Sequence, residues 1–320
     1  MIGKWVRSKN VTGYLFISPW LIGLFVFTLF PLLYSIVLSF TDWNLLEKAN
    51  FIGLSNYDKM AHDDTFWAAI KVTFIYSAVS VPLGIIFGIL LAVLLNQKLP
   101  GIRLFRTIFY LPAVVSGVAV AMLWLWVFDP KYGIINTILS WFGITGPEWL
   151  SDPNTALTSL IIMSLWGIGD AMIIYLAGLQ GVPRELYEAA DVDGASVVRK
   201  FWNITIPMLT PTIFFNLIMG IIKSFQVFTQ ALVMTKGGPG DSTMFYVLYL
   251  YQNAFNFFKM GYASALGWVL FLIIMVLILV LFKTSGRWVY YGGDTPDEGK
   301  KSKKRSKQAV RRSEKGGETT

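Results

Sequence analysis

The sequence predicts an all-α, polytopic membrane protein with about six transmembrane helices. Three observations lead there. Hydrophobic residues make up 55% of the 320 positions and charged ones 14%, against about a quarter charged in ordinary soluble domains. Apolar runs of about 20 residues, enough to cross about 30 Å of hydrocarbon as helix, recur along the chain. These runs lack the two-residue alternation of barrel strands, so helices are left as the way to satisfy backbone groups in lipid.

The spans are expected at Tyr14 to Phe40, Thr73 to Leu95, Thr107 to Phe128, Ala156 to Leu179, Thr212 to Met234 and Ala263 to Phe282. The first is too long for the apolar part of a signal peptide and lacks a clear small-residue cleavage site, so it reads as retained. An even number of spans puts both termini on one side. Lys4, Arg7 and Lys9, then Lys98, Arg103 and Arg106, then Arg184, Arg199 and Lys200 share that side with the C-terminal tail. The opposite loops hold only Lys48, Lys59, Lys131, Lys236 and Lys259. The positive-inside rule therefore places the termini in the cytoplasm.

Three regions follow: a cytoplasmic N-terminus over 1–13, a transmembrane domain over 14–282, and a basic cytoplasmic tail over 283–320. The tail, with Lys300, Lys301, Lys303, Lys304, Arg305, Lys307, Arg311, Arg312 and Lys315, is poor in apolar groups and reads as disordered. A basic run just after a span is better explained as an anchor near anionic lipid than as a nucleic-acid site.

Several chemistries are excluded. With no cysteine and one histidine, disulfides and thiolate metal sites are impossible, and the lone His62 reads as a solvated loop residue. There is no Gly-x-x-x-x-Gly-Lys-Ser/Thr phosphate loop, no His-Glu-x-x-His and no Gly-x-Ser-x-Gly. The chain reads as a non-enzyme with no cofactor, and any pump energy must come from elsewhere.

The longest polar interruption lies between spans four and five. Pro183 suits a helix start and Glu185 the dipole-favoured first turn; Gly194 suits a helix stop. Val197, Val198, Phe201 and Ile204 then share a helical face suited to a partner, and Pro207 and Pro211 are expected to end the segment. Within the spans, Asp170 and Lys223 matter most, because an ionisable group in lipid costs at least about 2.5–3.5 kcal/mol and normally faces a cavity or a partner. Counted from the cytoplasmic ends, they sit about 12 and 18 Å deep, so they are expected to pair or to line a polar cavity together. An ion pair that only joins two helices is the plainer alternative. Ser164, Ser224, Gln226 and Gln230 suit helix–helix hydrogen bonds. Trp124, Trp126 and Trp166 suit packing, although aromatic faces also suit sugar rings. Gly167 and Gly169 suit close helix approach. The aromatic stretch Met244 to Phe258 suits either an interfacial helix or a gate.

Glu188-Ala189-Ala190, Asp193-Gly194-Ala195, Phe201, Ile204, Pro207 and Pro211 resemble the EAA loop, here 183–211, of bacterial ABC-importer permease subunits. Phe51-Ile52-Gly53-Leu54-Ser55-Asn56-Tyr57, Leu111-Pro112, Gly133-Ile134-Ile135-Asn136, Ser224-Phe225-Gln226 and Thr235-Lys236-Gly237-Gly238-Pro239 with Ser242-Thr243 narrow this to carbohydrate-uptake permeases. They are most similar to the maltose or glycerol-3-phosphate type and to the first member of the permease pair. The resemblance implies a type I importer permease fold in the bacterial inner membrane. It also implies a second homologous permease, two copies of a cytoplasmic ATP-binding subunit, an extracytoplasmic solute-binding protein and a carbohydrate substrate. Glu188, Ala189, Ala190, Asp193 and Gly194 would couple to the ATPase. By position relative to the motif, Ser164, Trp166, Gly167 and Asp170 with Lys223, Ser224 and Gln226 would line the substrate path. The asparagines and tyrosine of the maltose-type path are not matched here, so the sugar does not carry over, and Lys223 leaves an anionic sugar phosphate open. A secondary transporter or channel and a membrane enzyme are the other classes; the first would take up solute without ATP.

Overall fold

The computed structural model describes residues 9–97 and 99–290. Lys4, Arg7, Lys98 and the basic tail from Lys300 lie outside the described residues. Among those described, the secondary structure is helical, with one isolated bridge between Thr41 and Phe51.

The first span, α1, runs as three consecutive pieces, Lys9–Gly23, a π-turn at Leu24–Leu29, and Phe30–Ser39. Pro31 opens the third piece and lacks an N–H to give. The widened turn before it, in which the Phe30 N–H reaches Phe25 O, keeps the helix continuous. Asn56, in α2 (Ser55–Ala61), donates through Nδ2 to Ser39 O at 2.9 Å and Thr41 O at 2.8 Å. Tyr57 OH donates to Ser39 Oγ at 2.9 Å. The Phe51-to-Tyr57 motif thus closes the end of α1, where carbonyls have no helical partner.

Helix α3 (Asp64–Leu95) begins nine residues before the expected Thr73. Asp63 caps it, with Oδ1 accepting from the N–H groups of Thr65 at 2.9 Å and Phe66 at 3.2 Å. At its other end Arg106 donates to Leu95 O at 3.1 and 2.7 Å, a cation on the helix's negative end.

The span expected over Thr107 to Phe128 is two helices, α4 (Ile102–Val114) and α5 (Gly117–Val127), because Val115 and Ser116 adopt extended backbone. A short amphipathic helix, α6 (Ile134–Trp141), follows. The span expected over Ala156 to Leu179 is also two, α7 (Pro153–Trp166) and α8 (Gly169–Gln180), broken at Gly167 and Ile168. After α9 (Arg184–Val192) comes α10, which joins Val197–Lys200, a π-turn Phe201–Thr205 and Ile206–Phe225 without interruption. Pro207 and Pro211 therefore do not end the segment as expected; the π-turn Phe201–Thr205 precedes Pro207 in the first turn of the following α-helical piece, and Pro211 lies inside that piece. Helix α11 (Thr229–Met234), α12 (Tyr246–Tyr251) and the last span α13 (Met260–Ser285) complete the chain. Among the described residues, four runs are long and apolar enough to cross a membrane, and up to six if each broken pair counts as one.

The chain divides into two compact units. Among the described residues, one comprises 9–79, 116–163 and 222–277; the other 80–97, 99–115, 164–221 and 278–290. The second unit's core is Ile89, Ala92 and Leu95 of α3, Met172, Tyr175, Leu176 and Leu179 of α8, and Leu209 of α10. The 172/175/176/179 spacing is one helical stripe. Gly88 lets α3 meet that stripe, since a Cβ there would lie 3.1 Å from the Tyr175 ring.

The first unit's core is largely aromatic. Phe245 meets Tyr76 edge-on at 5.0 Å and Tyr246 meets Phe66 at 5.9 Å. Thr73 Oγ1 accepts the Tyr246 N–H at 2.9 Å, and Tyr246 OH donates to Leu266 O at 2.8 Å. The Met244 to Phe258 stretch is therefore a buried structural element in its first half, and Phe255, Phe257 and Phe258 are exposed. Tyr249 and Tyr262 both donate to Asp63 Oδ2, the latter at 3.1 Å. Burial opposes ionisation of Asp63, but these donors together with the Phe66 and Thr65 N–H groups outweigh it and hold the carboxyl below its usual range. Burial and the Asp63 partner push the Tyr249 hydroxyl up to about 12.

Candidate functional site

The polar interruption folds into a closed hairpin within the second unit. Pro183 precedes α9 in extended backbone and Asp193 ends it. Gly194 takes φ +69°. Its N–H reaches Asp191 O at 3.1 Å, and the Ala195 N–H reaches back to Ala190 O at 2.9 Å. This bond pair is a Schellman stop, which needs a left-handed residue at the position Gly194 fills. Ser196 restarts the chain as N-cap, its Oγ accepting the Arg199 N–H at 3.3 Å.

Two side-chain ties brace the hairpin. Lys200 Nζ lies 2.5 Å from Asp191 Oδ1. Tyr187 OH and Thr205 Oγ1 are 2.9 Å apart, joining α9 to the π-turn. Neither tie was foreseen from sequence, since the partial burial of Tyr187 on a largely exposed helix is visible only in the structure.

Of the expected coupling residues, Glu188, Ala189, Asp193 and Gly194 are exposed, and Ala190 is half-buried with its carbonyl engaged in the stop. The face expected from Val197, Val198, Phe201 and Ile204 divides. Val197 (78% exposed) and Val198 (67%) point outward, whereas Phe201 packs on the Leu179 and Leu209 core. Val192 at 90% and Trp202 at 62% join the outward group. The hairpin therefore presents apolar side chains beside an exposed carboxylate, Glu188, a composition suited to a protein partner.

The expected path residues lie at helix breaks, which sequence reasoning missed. In the second unit, Ser164 and Trp166 are in the last turn of α7, Gly167 is in the break, and Asp170 is exposed in the first turn of α8. A carboxylate there meets the positive end of the α8 dipole. Gly169, but not Gly167, is a close-approach glycine: a Cβ at 169 would fall 2.5 Å from Phe109 O of α4, while the nearest atom to one at 167 is at 3.7 Å.

In the first unit, Lys223 is exposed in the last turn of the long α10 helix, just before the break at 226–228. An ammonium there meets the negative end of its helix. Gln226 is exposed at the break, and Ser224 is buried, donating to Ser77 Oγ at 2.7 Å. Each ionisable group thus sits where a discontinuous helix stabilises its charge, and interrupted helices in membrane proteins line cavities or protein rather than lipid.

Residues 84–290 match the family described as binding-protein-dependent transport system inner membrane component. The chain is a permease subunit of that family. The probable ABC transporter permease YesP of Bacillus subtilis (strain 168) is 46% identical over 291 residues, covering 89% of this chain and 94% of that one. The lactose transport permease LacF of Rhizobium radiobacter is 38% identical, covering 86% and 94%, and the arabinooligosaccharide transport permease AraP of Bacillus subtilis (strain 168) 34%, covering 87% and 90%. A chain of a bacterial ABC transporter that imports the acidic polysaccharide alginate superposes with a TM-score of 0.79 at 26% identity, covering 89% of this chain and 98% of that one. A chain of a bacterial alginate ABC transporter in complex with an alginate pentasaccharide-bound periplasmic protein superposes with a TM-score of 0.78 at 26% identity, covering 89% of this chain and 96% of that one. This permease is accordingly a multi-pass membrane component of an ABC sugar importer and a transport subunit, not an enzyme, which favours that reading over a secondary transporter or channel.

Proposed function

We propose that this permease forms half of a carbohydrate path through the bacterial inner membrane. Its assembly contains a second homologous permease, two copies of a cytoplasmic ATP-binding subunit and an extracytoplasmic solute-binding protein. The observation that carries this is the hairpin at Arg184 to Lys200, a rigid stop-and-restart with Glu188 exposed beside Val192, Val197 and Trp202. The exposed apolar side chains beside Glu188 suit insertion into a cleft on an ATPase. Both termini and the hairpin face the cytoplasm; Arg103, Arg106, Arg184, Arg199 and Lys200 on that side support it.

In this reading Ser164, Trp166, Gly167 and Asp170 of one unit, and Lys223 and Gln226 of the other, serve the substrate path, each ionisable group on its own interrupted helix. Ser224 contributes by tying α10 to α3 through Ser77. The carbohydrate class is supported by relatives whose names specify lactose and arabinooligosaccharides and by the alginate importer. Glu188→Lys in the assembled complex tests the coupling role. Loss of uptake together with loss of binding-protein-stimulated ATP hydrolysis is expected, and normal values of both refute it.

A further inference from the structure

The Gly133-Ile134-Ile135-Asn136 motif is not among the residues assigned above to coupling or to the path. In the first unit it builds a pinned helix with a bare apolar face. Six residues separate the end of α5 at Val127 from the start of α6 at Ile134. They form a tight turn: Asp129 Oδ1 accepts from the N–H groups of Lys131 at 2.9 Å and Tyr132 at 2.7 Å, and the Gly133 N–H reaches Asp129 O at 2.9 Å. A Cβ at Gly133 would fall 2.3 Å from Asp129 O. The start of α6 is thereby held within one turn of the end of an apolar helix.

Asn136 fixes one side of α6 to the protein. Its Nδ2 donates to Pro130 O at 3.1 Å and Pro147 O at 3.3 Å, and its Oδ1 accepts the Trp149 indole N–H at 2.6 Å. With 3.6 residues per turn, the opposite side carries Ile134, Ile138, Trp141 and Phe142, positions i, i+4, i+7 and i+8. All four are exposed, Trp141 and Phe142 by 75% each, and Tyr132 and Ile144 flank them. No charged residue occurs from Tyr132 through Pro147.

From this geometry we infer that the Ile134/Ile138/Trp141/Phe142 face of α6 is seated in the membrane interface at the surface where α5 ends. Two observations choose lipid over a protein partner. A protein interface needs a polar rim and about one hydrogen bond per 100–200 Å², whereas this face offers only the Trp141 indole and the Tyr132 hydroxyl. Those are the two side chains that suit the headgroup layer, with an apolar body and one polar tip. The short, pinned connection to α5 also keeps the face at the depth where the apolar helix leaves the hydrocarbon. The inference rests on the membrane location of the chain and not on the sugar or on the coupling hairpin, so it stands or falls separately from them.

The chain has no cysteine, which makes single-site labelling direct. Ile138→Cys, Phe142→Cys and, on the pinned side, Ser140→Cys are labelled with a nitroxide in the full-length chain within its complex, in vesicles of phosphatidylethanolamine and phosphatidylglycerol. Collision with oxygen, which partitions into lipid, is expected to exceed collision with a water-soluble nickel chelate several-fold at 138 and 142, with the order reversed at 140. High nickel access at 138 and 142 would show a bare, water-facing helix, and low access to both probes would show a protein cover; either overturns the inference. Photolabelling of the unmodified complex by lipids with a diazirine near the headgroup removes any dependence on the variants. Modification within 132–144 supports the inference, and its absence there, with the spans labelled, contradicts it.

Discussion

Replacing Gly194 separates backbone conformation from contact at the hairpin. Gly194 stands at φ +69°, and a Cβ built there meets nothing within 4 Å. A side chain therefore has room within the permease, and its cost comes from the left-handed backbone, about 1–2 kcal/mol for an ordinary L-residue. That is a factor of roughly 5–30 in the ratio of closed to opened hairpin. Asn tolerates this region and costs less, whereas β-branched Val is more strained than Ala. The expected order of binding-protein-stimulated ATP hydrolysis, and of uptake in proteoliposomes, is wild type, then Gly194→Asn, then Gly194→Ala, then Gly194→Val. Assembly and membrane insertion should hold throughout, since Gly194 touches no core residue. Wild-type coupling in Gly194→Val would refute the requirement for the Schellman stop. Equal damage from Asn and Val would assign the effect to bulk in the partner's cleft.

The paired glycines at the α7/α8 break should behave differently. Gly169→Ala forces α8 against the α4 backbone at about 1–3 kcal/mol of overpacking and should lower the melting temperature of the purified complex, while Gly167→Ala should leave it unchanged; equal effects would contradict the close approach at Phe109. The Asp63 cluster predicts two pH limits. Because the folded Asp63 carboxyl lies below its ordinary 3.8, its contribution is present above that value and fades as pH falls through the folded value. Because the Tyr249 hydroxyl is raised to about 12 from 10, its contribution is complete below pH 10 and is lost between 10 and about 12. Asp63→Ala should remove the acid limb from the melting profile, and an unchanged profile would count against the cluster. Asp170→Asn and Lys223→Gln, each removing a charge worth about 1.5–3 kcal/mol in a hydrogen bond, should cut uptake about tenfold or more with assembly intact; harmless substitution at both would end their assignment to the path.

The number and approximate place of the spans were legible because lipid demands long apolar runs, and the hairpin was legible because Pro183, Glu185 and Gly194 each have a local conformational reason. The breaks were not. The segments on both sides of Val115–Ser116 and of 226–228 are apolar, so an apolar run states that a segment is suited to lipid and not that its helix is continuous. Gly167 and Gly169 were both expected to permit close helix approach, but only Gly169 does so, and Gly167 lies in the α7/α8 break. Pro207 and Pro211 misled in the other direction, since a π-turn upstream lets the helix run through them. The burial of Tyr246 and Tyr249 depends on Thr73 and Asp63, residues more than 170 positions away, and no local pattern encodes such partners.

The central claim is that this chain moves carbohydrate only when an ATPase drives it. Vesicles containing the permease alone, the two permeases with their ATPase, and the same complex lacking ATP can be compared for uptake of sugar presented on the binding protein. Accumulation is predicted only in the complete complex with ATP, with hydrolysis rising when loaded binding protein is added. Uptake by the permease alone, without ATP, would contradict the account.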